Sequence, residues 1–78
     1  MVVNTYIRTL NSNHATKIVR YLVDLGYPNP FILVGSFANF YYGIDINGDI
    51  DTHSTLPKDA IEIYKLEDFL QNSLEWWW

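Results

Sequence analysis

Around Asn47-Gly48 the chain alternates aromatic, aliphatic and acidic residues in a way that only one hairpin register can sort. A two-residue turn at Asn47-Gly48 sets Ile46 against Asp49 and Asp45 against Ile50, mixing apolar and charged side chains on each face. A three-residue loop of Ile46, Asn47 and Gly48, with Gly48 in the left-handed conformation, instead pairs Ile44 with Ile50 and Tyr42 with Thr52. The other face then gathers Tyr41, Asp45, Asp49, Asp51 and His53. Strand faces repeat every two residues, so this register predicts a half-buried sheet whose outer face is solvated and acidic.

The flanking segments supply the rest of a small α+β domain. Val3, Thr5 and Ile7 alternate with Asn4, Tyr6 and Arg8, the period of a strand with one buried face. Asn11-Ser12-Asn13 offers capping groups ahead of a helical stripe of Ala15, Ile18, Val19, Leu22 and Leu25, which ends at Gly26. Lys17, Arg20, Tyr21 and Asp24 fall on its outer side, and His14 is expected at the surface. Pro28 and Pro30 then enforce a loop. Phe31 to Val34 reads as a strand buried on both sides, Asn39 to Ile46 and Ile50 to Ser54 as the hairpin, and Ile61 to Tyr64 as a last strand. Phe40 and Tyr42, two residues apart, are both expected in the core. Leu66, Phe69, Leu70 and Leu74 trace a second helical stripe, with Glu67 and Asp68 in its first turn. The expected architecture is one domain, residues 1–78, with an antiparallel sheet of three to five strands and two helices on one face.

Composition limits what such a domain can do. With 78 residues and no cysteine, neither disulfides nor thiolate zinc can reinforce a core that is only just large enough. The 49% hydrophobic and 17% aromatic content is enough to build that core. Nine acidic against five basic residues, a net charge of −4, argue against a phosphate-backbone binder and suit a basic protein surface. The start Met-Val-Val-Asn-Thr-Tyr lacks a basic segment followed by an apolar run, and no stretch reaches membrane-spanning length. The expected location is the cytoplasm.

Leu22-Val23-Asp24-Leu25-Gly26-Tyr27, Tyr41 to Gly48, Leu56-Pro57, Ile61 to Tyr64 and Leu66-Glu67-Asp68-Phe69-Leu70, in this order, resemble small accessory proteins of tailed-bacteriophage genomes. The similarity covers most of residues 4 to 70. It implies a host-takeover or anti-defence role in an infected bacterial cell: binding and inhibiting a host enzyme or a defence complex such as a CRISPR effector. It implies no catalytic residue.

A different chemistry competes for the same stretch. Gly35-Ser36 followed by Asp49-Ile50-Asp51 resembles the signature of the DNA-polymerase-β nucleotidyltransferase superfamily. There a Gly-Ser backbone holds phosphates and two carboxylates on one strand face hold divalent metals. The usual Arg after Ser36 is missing, and Glu62 is the only candidate for a third carboxylate. Asp45, Asn47 and Asp49 begin like a calcium loop, but Ile50 and Leu56 occupy its Gly and Glu positions. Ser36, His53 and Asp51 are the residue types of a hydrolytic triad, without a nucleophile-elbow pattern.

The favoured reading is therefore a binding protein with no catalytic residue, metal or cofactor. Its partner is expected to be a bacterial protein with a basic surface, met without direct contact to nucleic acid or membrane. The residues expected to make that contact are Tyr41, Asp45, Asp49, Asp51, His53, Trp76, Trp77 and Trp78. The Trp triplet reads equally well as interface or as a cap on the core, with a cloning remnant as a further reading. Self-association into a homo-oligomer is the third functional alternative.

Overall fold

A computed structural model describes residues 2–30 and 40–70. The expected strand at Phe31 to Val34, the Gly35-Ser36 pair, Leu74 and Trp76 to Trp78 lie outside the described residues. Four strands form one sheet in the order β3-β2-β1-β4, with β1 at Thr5–Arg8, β2 at Tyr41–Ile44, β3 at Ile50–His53 and β4 at Ile61–Ile63. The class is α+β, as the order of sequence patterns implied.

The helix α1, Ser12–Asp24, is bounded by the residues that the sequence marks for it. The Asn11 side chain accepts a hydrogen bond from the His14 N–H at 2.8 Å, satisfying one orphan donor of the first turn. The His14 ring is half-buried, and its Nδ1 accepts the Leu10 N–H at 3.0 Å, so His14 helps to fix the entry to the helix. At the other end Gly26 has φ +96, its N–H donates to the Val23 carbonyl, and the Tyr27 N–H donates to the Leu22 carbonyl. These two bonds make a Schellman cap. They swing Tyr27 into the core, where its hydroxyl accepts the Val2 N–H at 3.0 Å.

Ala15, Ile18, Val19 and Leu22 are buried, and α1 packs across β2 and β3. Below it, Ile7, Tyr42, Ile44 and Ile50 complete one core with Phe69. Each fully buried aliphatic side chain contributes about 1.5–3 kcal/mol. Tyr21, expected on the outer side, packs against this core at its margin. Phe40 is 48% exposed and lies just before β2, whereas Tyr42 is buried. The difference is that β2 begins at Tyr41, so the alternation that carries Tyr42 inward does not extend back to residue 40.

The sheet is mixed. β1 pairs antiparallel with β2 but parallel with β4, Tyr6 lying opposite Glu62 and Ile7 opposite Ile63. A purely antiparallel sheet was expected. Residues 54–60 instead carry the chain from the end of β3 back to the start of β4 on the far side of β1, and such a crossover delivers a strand in parallel. Asn4 anchors the arrival. With φ +49, in the left-handed region that Asn tolerates, its carbonyl accepts the Ile61 N–H at 2.9 Å and its Nδ2 donates to the Asp59 carbonyl at 3.1 Å.

After β4, the Asp68, Phe69 and Leu70 N–H groups donate to carbonyls three residues back, and the second helix begins at residues 68–70. Phe69 enters the core while Leu66 packs at its edge. Among the described residues no helix is long and apolar enough to cross a membrane.

Candidate functional site

The hairpin has the register that sorts its faces: Ile44 lies opposite Ile50, Gly43 opposite Asp51, Tyr42 opposite Thr52 and Tyr41 opposite His53. Gly48, at φ +86, donates its N–H to the Asp45 carbonyl, and the Asp45 N–H donates to the Asp49 carbonyl at 2.9 Å. This is a three-residue loop closed by a left-handed glycine. Asp45 does more than face outward. Its Oδ1 accepts the N–H groups of Asn47 at 2.8 Å and Asp49 at 3.0 Å, holding the loop as an Asx turn. Ile46, at the tip, is 73% exposed.

Beyond the tip, Asp51 and His53 form a pair on β3, with His53 Nε2 3.0 Å from Asp51 Oδ2. Asp51 Oδ1 accepts the Thr52 N–H at 2.8 Å, so both oxygens of this carboxylate are engaged. His53 also meets the edge of the Tyr6 ring, with centroids 5.4 Å apart and planes at 77°. Tyr6 stands on β1, two strands away, a separation of about 9–10 Å between backbones. Its ring reaches His53 by leaning across Gly43, which has no side chain to block it.

Tyr6 corrects the picture of a fully solvated outer face. It projects on the side away from α1, yet it is only 1% exposed. Burial first, then the charges of Asp51 and Asp45, push its phenol up to about 12 from an ordinary 10.0. The folded protein therefore keeps a proton that the unfolded chain releases above pH 10. Stability from this group is complete below about pH 10 and drains away as pH rises towards about 12. Tyr6→Phe is expected to flatten that alkaline loss in urea melts taken between these pH values. Equal alkaline slopes in the two proteins would remove Tyr6 as its source.

Of the residues expected to meet a partner, the structure brings together Tyr41, Asp45, Asp49, Asp51 and His53 on and beside one hairpin, all half-buried. The Trp triplet lies outside the described residues, as do Gly35 and Ser36. Glu62 shares the outer face with Asp51 but stands three strands away, about 14 Å, with Tyr6 and Gly43 between them. It does not join the two aspartates. Among the described residues no three Asp, Glu or His side chains converge on a metal position. The reading from sequence overlooked Tyr6 and Gly43. A glycine inside a β pattern is the signal that could have found them, since it marks a close approach of something else.

No family model matches the chain, and comparison with curated proteins and with solved structures gave no match.

Proposed function

We propose that the protein works by binding another protein through the tip and outer edge of the β2–β3 hairpin, without chemistry of its own. The observation that carries this reading is the arrangement at the tip, where the 73%-exposed side chain of Ile46 is bracketed by the carboxylates of Asp45 and Asp49. An apolar anchor beside acidic groups suits a partner surface with an apolar pocket rimmed by Lys or Arg. The loop is held by the Asp45 carboxylate before any partner arrives, so little conformational entropy is lost on docking. The resemblance to phage accessory proteins makes the partner a bacterial enzyme or defence complex, and inhibition follows if the hairpin occupies a channel that normally receives nucleic acid.

The test is capture from bacterial lysate on the immobilised protein, with mass spectrometry of what is retained. Asp49→Lys combined with Asp51→Lys reverses two charges and leaves the Asp45 loop bonds in place. It is expected to weaken capture about tenfold or more, most strongly at low salt. Ile46→Ser is expected to weaken it independently of salt. Undiminished capture by both variants would overturn the hairpin as the contact surface.

A further inference from the structure

A second site lies away from the hairpin tip, at the carboxyl ends of the parallel strands β1 and β4, where β1 turns into α1. A cleft of about 340 Å³ opens there, at the lower end of the size range of small-molecule sites. Its apolar lining comes from Ile7, Leu10 and Ile63, and its polar lining includes Arg8, His14 and Glu62. The register sets Glu62 opposite Tyr6, so Arg8 is displaced from Glu62 by two residues along one strand and by one strand across, about 8 Å between Cα atoms. Among the described residues no carboxylate comes within ion-pair distance of the Arg8 guanidinium. His14 accepts the Leu10 N–H on Nδ1, which leaves Nε2 as the protonated, donating nitrogen.

The cleft thus offers two donors and a carboxylate beside an apolar wall. A simple anion would satisfy Arg8 but meet Glu62, and a simple cation would do the reverse. A small zwitterion satisfies both. We propose that this cleft binds a free α-amino acid with an aliphatic side chain: the carboxylate on Arg8 and His14 Nε2, the ammonium on Glu62, and the side chain against Ile7, Leu10 and Ile63. The inference is independent of the hairpin contact.

The experiment is an NMR titration of the ¹⁵N-labelled protein with L-leucine, N-acetyl-L-leucine and L-leucinamide. L-Leucine is expected to give saturable shifts at the Leu10 and Ile63 amides in the millimolar range or below. Removal of either ligand charge should weaken binding about tenfold or more, the effect of losing a charge-assisted hydrogen bond. Glu62→Gln should bind leucine and N-acetyl-leucine alike, and Arg8→Gln should bind leucine and leucinamide alike. The proposal is overturned if leucine gives no saturable shift at millimolar concentration, or if either blocked compound binds the unmodified protein as tightly as leucine. Should a variant fail to fold, the three ligands on the unmodified protein decide the matter alone.

Discussion

Gly43→Ala is expected to abolish cooperative folding. A Cβ built on Gly43 overlaps the Thr5 carbonyl oxygen and comes 2.7 Å from the Tyr6 Cα, both backbone atoms of the neighbouring strand. A flexible side chain could swing aside, but β1 cannot. It is held by β2 on one side and by β4 on the other, and moving it breaks both ladders. The methyl group would also stand under the path that the Tyr6 ring takes to His53. Overpacking in a core that can adjust costs about 1–3 kcal/mol, and here the fixed backbone puts the cost at or above the top of that range. For a domain this small that is most of the available stability. Circular dichroism should show no cooperative melt. A melting temperature within a few degrees of the unmodified protein would mean that β1 and β2 are further apart than described.

Ile44→Asp is expected to be equally severe, for a different reason. Ile44 is fully buried, opposite Thr5 on one side and Ile50 on the other, in the core that includes Leu22. An aspartate there either buries an unpaired charge or drags β2 away from α1, at a cost of about 4 kcal/mol or more. The informative contrast is Asp49→Lys in the same hairpin. Reversing a half-exposed charge that makes no hydrogen bond from its carboxylate among the described residues should change stability by less than about 0.5 kcal/mol. Urea melts of the two variants therefore test which face of the hairpin is the inside. If Ile44→Asp melts like the unmodified protein, the face assignment is wrong, and the proposed contact surface falls with it.

The hairpin was legible because its information is local. Ile44, Ile50, Asp45 and Asp49 can be sorted by one register only, and the glycine that register needs at positive φ sits at residue 48. The boundaries of α1 were legible for the same reason, with Asn11 ahead of the stripe and Gly26 behind it. Charge alternation could not reveal that Asp45 turns inward to serve the loop, because an Asx bond depends on which rotamer the closed turn selects. Nor could it show Asp51 and His53 as a pair, since residues two apart on any strand face the same way whether or not they touch.

What the sequence determined by itself was the set of elements, the face of each that must be buried, and the shape of the hairpin, because these follow from periodicity, caps and turn chemistry within a few residues. Only the tertiary structure decided where β4 goes. Its three residues pair with either edge of the sheet as far as pattern can tell, and the parallel place beside β1 is set by the crossover and by the Asn4 junction, more than fifty residues away along the chain. That choice makes β1 an interior strand, covers Tyr6 on a face that alternation assigns to solvent, and puts Arg8 and Glu62 at the same cleft. Long-range pairing is a competition between whole arrangements of the sheet, and no short window of residues contains its outcome.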